Sequence, residues 1–328
     1  MRAAWYERNG PASEVLQVGD IEVPKPAPGE VLIRLAWSGV NPSDVKSRSG
    51  VTRPMSFPRV IPHSDGAGVI EGVGPGVPPS RLGERVWTYS AQWQRPFGTC
   101  AEYISLASEQ AVKLPDSIGL ETGACLGIPA LTAHRALFAD GPIEGQTVLV
   151  HGGAGAVGST AVQFAKWAGA RVIATVSSDE KAARAHESGA DHMVNYRQED
   201  VAARVLELTG GQPVDRVVDV GLGANLPADL AVLKSNGAIA TYASDGGPRN
   251  PGLPFQQLLR SGVTLRFVYM YILPDPALQQ CLQDTVAALK AGALRPRIAQ
   301  RFALGEIAAA HELQESGRAI GNILIALS

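Results

Sequence analysis

The chain has 328 residues, more than one ordinary core holds and about right for two domains. Apolar residues make up 45 % of it and the formal net charge is −2, which supports a packed soluble protein and excludes a general attraction to nucleic acid or to an anionic membrane. Cys100, Cys125 and Cys281 form no C-x-x-C pair, and their odd number speaks against a disulfide framework.

Reduced thiols suit a cytoplasmic setting. MRAAWYERNG lacks the basic-then-apolar order of a signal peptide, and no apolar run reaches the ~18 residues of a membrane span. Proline is densest before about residue 150, so a loop-rich β region is expected first. VLIRLAWSGV (31–40) has strand composition, with turn chemistry in PAPGE before it and NPSD after it. GAGVIEGVGPGV (66–77) reads as bent strand, and ERVWTY (84–89) and CAEYISL (100–106) add further strands. The first helical period of any length falls at 121–141.

The pattern then changes. TVLVHG (147–152), RVIATV (171–176), HMVNY (192–196), RVVDVG (216–221), AIATYA (238–243) and TLRFVYM (264–270) read as strands. Helices are expected at 156–169, 179–190 and 201–211 between them. This alternation predicts a doubly wound parallel sheet. A helix at 277–291 and a strand-like tail, GNILIALS, follow.

HGGAGAVG (151–158) lies between a predicted strand and a predicted helix, and Gly153, Gly155 and Gly158 fit G-x-G-x-x-G. In that setting glycines make the tight turn, admit a pyrophosphate to the backbone, and let helix pack on strand, while the helix N-terminus faces the phosphates. Ala154, Ala156 and Val157 complete the loop. No Lys-Ser/Thr follows Gly158, so a P-loop is excluded. The second strand ends in Ser177 and Ser178 rather than in an acid. Ser177, Lys181 and Tyr196 are expected to converge on a ribose 2′-phosphate, which favours NADPH. Asp179 and Glu180 are the counter-evidence, since either could accept from a free 2′-OH.

Several stretches together resemble the medium-chain dehydrogenase/reductase superfamily, and within it the zinc-free quinone oxidoreductases, or zeta-crystallin group. They are SGVNPSDVKSRSG (38–50), SDGAGVIEGVGPGV (64–77), GERVW (83–87), AEY (101–103), GIPALTAHRAL (127–137), VLVHGGAGAVG (148–158) and GRAIGNILIAL (317–327). The resemblance implies a GroES-like β-barrel catalytic domain over 1–123, with 272–328 returning to it, and a Rossmann NADPH-binding domain over 124–271. Substrate and nicotinamide are expected to meet in the cleft between them.

Against the zinc enzymes of the superfamily, Asn41, Ser64 and Ile128 fall at the usual ligand positions, and none is a competent zinc ligand. TYSAQWQRPFGT (88–99) replaces the four-cysteine lobe, so no metal is expected. His63 is read as positioning a loop or lining the pocket. The resemblance places Asn41 beside the nicotinamide, with Lys46 and Ser64 as its catalytic neighbours. Lys46 stands where relatives carry Tyr, and its ammonium either polarises a carbonyl or points to solvent. Trp93 either stacks on a planar substrate or anchors its loop. Thr132, Gly221, Leu222, Tyr242, Ala243, Phe267, Val268, Tyr269, Arg318 and Asn322 are the further cofactor positions implied.

The expected activity is NADPH:quinone oxidoreduction without metal, in a homodimer or homotetramer. An alkenal or 2-enone reductase is the alternative, and a non-catalytic NADPH- or RNA-binding crystallin-like protein the second. No nucleic acid or membrane partner is expected.

Overall fold

The computed structural model describes residues 1–328 except Arg53, Asp245, Arg249 and Ser328. The chain divides into two compact units, Met1–Ile128 with Pro296–Ser328, and Pro129–Arg295.

In the first unit β1 (Arg2–Trp5) and β2 (Gln17–Asp20) pair antiparallel around a short helix, α1 (Ala12–Val15). The long strand β3 (Glu30–Val40) leads into α2 (Pro42–Ser49), and β4 (Asp65–Val73), β5 (Arg85–Thr88), β6 (Tyr103–Ala107) and β7 (Ala111–Lys113) follow. Along β3, Val31, Ile33 and Leu35 alternate into the core, the period-two signature of a half-buried strand. The helix expected over 121–141 is two helices, α3 (Leu120–Gly123) and α4 (Gly127–Phe138). The break has a tertiary cause: the Asp65 carboxylate, from the start of β4, accepts from Ile128 N at 2.9 and 3.0 Å and caps α4.

The second unit alternates β8 (Thr147–Val150), α5 (Ala156–Trp167), β9 (Arg171–Val176), α6 (Asp179–Glu187), β10 (His192–Asn195), α7 (Val201–Leu208), β11 (Val214–Asp219), α8 (Leu222–Val232), β12 (Leu233–Thr241), α9 (Phe255–Ser261) and β13 (Thr264–Phe267), then ends in α10 (Asp275–Lys290). The sheet order is β10-β9-β8-β11-β12-β13, and every pair is parallel. That is the doubly wound order in which the strand sequence reverses between the first and fourth strands. Leu149, Ile173, Val194, Val217 and Ile239 fill its core from five strands.

The expected second junction was 271/272, whereas the chain re-enters the first unit at Pro296. The reason lies in α10, which is tied to α4 within the second unit. His134 Nδ1 lies 3.0 Å from Cys281 Sγ, and its Nε2 lies 2.8 Å from Asp284 Oδ2.

β14 (Ile298–Ala303), α11 (Ile307–Glu315) and β15 (Asn322–Ala326) then complete the first unit. Its sheet runs β14-β15-β3-β4-β5-β7, with β6 also on β3. All these pairs are antiparallel except β14–β15. A core including Ile33, Leu35, Ile104, Leu106, Ile323 and Ile325 lies against it. Among the described residues no helix is long and apolar enough to cross a membrane.

Candidate active site

In the first unit the polar centre is built on the β3–α2 corner. NPSD, expected as a turn, starts a helix: Pro42 sits at its first position and the Asp44 carboxylate reaches back to accept from Asn41 N at 2.7 Å. The signal was present in the sequence, as a cap residue with an acid three positions on. Asn41 Nδ2 donates to Asp65 Oδ2 at 2.8 Å, so one buried carboxylate fixes both the Asn41 side chain and the start of α4. Burial pushes the Asp65 carboxyl up to about 7, against the hydrogen bonds from Ile128 and Asn41 that favour its charge. Asp44 is raised by burial too, with the nearby charge of Asp65 adding to the effect.

Lys46 is half-buried on α2. Ser64 is buried, and its carbonyl accepts from Ala91 N at 3.2 Å. Trp93 is half-buried within 88–99. His63 is fully buried in a polar line: Nδ1 lies 2.8 Å from Ser38 Oγ, Ser38 Oγ 2.8 Å from Thr99 Oγ1, and Nε2 2.9 Å from His311 Nε2. Thr99 Oγ1 donates to the Asp65 carbonyl at 2.6 Å. His63 therefore ties strands to the C-terminal helix, in keeping with a positioning role, and burial holds it neutral, down to about 3.

The superfamily's zinc does not fit this corner. Asn41 presents an amide donor to Asp65, Ile128 offers no ligand atom, and Ser64 is a hydroxyl. The one His, Cys, Asp or Glu cluster of metal-holding spacing among the described residues is His151, Asp219 and Asp229, in the second unit.

In the second unit the glycine loop connects β8 to α5. Gly152, one residue ahead of the expected fingerprint, carries the left-handed φ of +68° that makes the tight turn. A Cβ on Gly158 would lie 2.2 Å from Gly152 O, so only glycine permits this close packing of helix on turn. Gly155 is the N-cap of α5, and Ala156, Val157 and Gly158 form its first turn, where backbone N–H groups have no carbonyl within the helix. Gly153 N donates to Thr175 O at 3.0 Å, which holds Ala154 and the rest of the loop against the end of β9.

Most of the other expected dinucleotide residues of this unit follow the carboxyl ends of its strands; Thr132, in α4, does not. Ser177 follows β9, and Ser178 caps α6 by accepting from Lys181 N at 3.3 Å. Tyr196 N donates to Val176 O at 3.1 Å, which places Tyr196 beside the Ser177 strand end with 51 % of its surface exposed. Leu222 N donates to Ala243 O, Gly221 bridges Ser244, and Tyr242 N donates to Asp219 O, so the β11 and β12 ends meet. Val268 N donates to Thr241 O; Val268 is buried, while Phe267 and Tyr269 are exposed. Thr132 is buried in α4.

The two tail residues lie in the first unit. The exposed Arg318 Nε reaches Ser316 Oγ at 3.2 Å, and Asn322 Nδ2 donates to Arg297 O at 3.0 Å. That amide donor of Asn322 is thus engaged in holding its own strand.

Comparison with known proteins follows these two halves. Residues 27–116 match the alcohol dehydrogenase GroES-like domain, and residues 156–287 match the zinc-binding dehydrogenase model. A GroES-like unit with an inserted Rossmann unit defines a medium-chain dehydrogenase/reductase. A 2-haloacrylate reductase of a Burkholderia species is 32 % identical, over 99 % of this chain and 98 % of its own. Human quinone oxidoreductase is 32 % identical, over 94 % and 91 %. A mycobacterial protein solved in complex with NADPH superposes with a TM-score of 0.88 at 32 % identity, covering 99 % and 100 %. A structure described as an NAD-dependent alcohol dehydrogenase gives 0.91 at 30 %, with complete coverage of both chains. The chain belongs to the quinone oxidoreductase family of that superfamily.

Proposed function

We propose that this protein is an NADPH:quinone oxidoreductase that works without metal, as a cytoplasmic homo-oligomer. The single observation that carries the cofactor reading is the Gly152–Gly158 turn, whose close packing excludes any Cβ at Gly158 and which opens α5, whose first-turn amides have no carbonyl within the helix and suit a pyrophosphate. Ser177 and Tyr196 at neighbouring strand ends, with Lys181 in the first turn of α6, favour the 2′-phosphate of NADPH over the free 2′-OH of NADH. NADPH, when bound, supplies a hydride.

The protein's own part is to bind, orient and stabilise charge. Asp65 holds the Asn41 amide in one orientation, and Asn41 and Lys46 are the unit-one groups assigned to the nicotinamide and to the acceptor oxygen where negative charge develops. A quinone or an activated alkene is already electrophilic, so no acid–base pair is required of the chain. The 2-haloacrylate reductase among its relatives keeps the enone-reductase reading as the second one. Support for oligomerisation comes from the sheet edge at β13 and the nearby α9. Phe255, Leu259, Phe267 and Ile272 are each more than half exposed there.

A panel of quinones, 2-enals and haloacrylates, read by NADPH oxidation, tests the assignment; a rate with simple quinones well above that with enals is expected. Lys181→Ala should raise KM for NADPH at least tenfold while leaving KM for NADH within about twofold, because one charge pair to a phosphate is lost. Wild-type preference for NADH would refute the 2′-phosphate site.

A further inference from the structure

The strand order reverses between β8 and β11, and dinucleotides bind outside the carboxyl ends of such strands. His151 directly follows β8, Asp219 ends β11, and Asp229 reaches them from α8. Both aspartates are 0 % exposed and His151 is 4 % exposed. His151 Nε2 lies 2.7 Å from Asp229 Oδ1. Asp219 Oδ2 and Asp229 Oδ2 are buried with no hydrogen-bond partner. The ligand atoms of all three residues fall within 4.8 Å of one another.

The cluster is bonded to both turns of the dinucleotide half-site. His151 Nδ1 lies 3.2 Å from Thr175 Oγ1, and Thr175 Oγ1 accepts from Gly152 N at 3.1 Å. On the other side Asp219 Oδ1 accepts from Gly221 N at 2.8 Å and from Asn225 Nδ2 at 2.7 Å. Three buried side chains thus lie between the phosphate turn and the Gly221–Leu222 turn: His151 is bonded toward the first and to Asp229 on α8, Asp219 is bonded to the second, and Asp219 meets the other two through its charge.

Two carboxylates in a dry interior need compensating charge. A metal ion would supply it, but two ligands about 2.0–2.2 Å from one tetrahedral ion stand more than 3 Å apart. The contact between His151 and Asp229 is shorter than that and is a hydrogen bond. A proton fits instead. Burial works against charge on His151, but the hydrogen bond and charge of Asp229, with the charge of Asp219, outweigh it and raise its pKa. Burial raises Asp229 as well, against the pull of His151. Both directions mean that the folded cluster holds a proton which separate groups would have released. Asp219 and Asp229 are the titratable groups facing His151, and the Thr175 hydroxyl completes its surroundings.

We propose that His151, Asp219 and Asp229 form a proton-holding positioning cluster that locks the two dinucleotide turns to each other, so that affinity for NADPH depends on one proton buried beneath them. Loss of the proton adds a negative charge under a phosphate site and weakens the bond that ties His151 to α8, the helix that starts at the Gly221–Leu222 turn. The coupling rests on the NADPH reading above; the proton does not.

The experiment therefore has two arms, both on the full chain. First, histidine NMR without NADPH, from pH 5.5 to 9.5, reads the protonation of His151. It should remain charged at pH 7 in the wild type and become neutral there in Asp229→Asn. A neutral His151 at pH 7 in the wild type overturns the proposal, as does a spectrum that Zn²⁺ shifts stoichiometrically.

Second, NADPH binding is titrated between pH 7 and 9.5, where the ligand's 2′-phosphate is already ionised. Kd should rise at least fivefold as His151 deprotonates. In Asp229→Asn, or in His151→Gln should that variant not fold, the profile should be flat. A wild-type Kd independent of pH across the His151 titration also overturns the proposal. NADPH that binds at no pH defeats the functional reading, and the first arm still decides whether the proton is held.

Discussion

Cys281, His134 and Asp284 show how little a constellation means without its environment. Thiol, imidazole and carboxylate lie in line at 3.0 and 2.8 Å, the order of a nucleophile, a base and its orienting acid. Yet Cys281 is 1 % exposed, and burial pushes its thiol up to about 12, so no thiolate forms and none could be reached. Cys100 and Cys125 are buried and raised in the same way. A thiol reagent such as Ellman's should label none of the three in the native protein within minutes and all three in denaturant. Rapid native labelling of Cys281 would turn the clamp between α4 and α10 into a reactive site.

At the scale of the element, the β4 start and α4 depend on one carboxylate. Replacing Asp65 by Ala removes the acceptor of Ile128 N and releases the Asn41 amide in a buried setting. The expected loss is about 1–3 kcal/mol of stability, read as a lower urea midpoint, with a fall in turnover because Asn41 is no longer held. An unchanged midpoint would mean that another group caps α4.

The same corner marks what local pattern could and could not convey. The parallel strands around HGGAGAVG and the alternation of VLIRL were legible because they are periodic over short range. The tight turn from strand to helix was legible from Gly153, Gly155 and Gly158, although the residue bearing the left-handed φ is Gly152. Helix α2 is announced by Asn41, Pro42 and Asp44, although the same residues also make a turn. The interruption at 124–126 was not legible at all, since its cause is Asp65, over sixty residues away. Nor was the His151 cluster, whose members come from the turn after β8, the end of β11 and helix α8 and meet only when the sheet order is known. Where α10 belongs was settled by a side chain on α4 rather than by anything in its own sequence.

At the scale of the whole molecule, the first unit is made of two stretches separated by the entire second unit. Polar contacts join them: His63 to His311, both buried, and the buried Arg48 to the exposed Glu315. Both imidazoles are held neutral, His63 down to about 3 and His311 well below the usual value, chiefly by burial. A base whose folded pKa is depressed contributes stability above its unfolded pKa near 6.5 and loses it as pH falls toward the folded value. Asp44 and Asp65, raised by burial, act in the opposite sense over part of that window. The imidazole contribution is therefore read by difference. The stability lost in His311→Gln at pH 7 should shrink by about 1.4 kcal/mol per pH unit below pH 6.5, measured by urea unfolding at pH 7, 6 and 5. A constant difference would show that protonation of the pair is not linked to unfolding.

Because β15 sits between β14 and β3 in the sheet, the C-terminal end of β3, from Trp37 to Val40, keeps a bare flank until residues 322–326 have been synthesised, while β6 covers its N-terminal end. The second unit, contiguous in sequence, needs no such wait. A ribosome thus releases a finished coenzyme half while the other half is still unsealed and open to mispairing. Chaperone demand should peak in that interval.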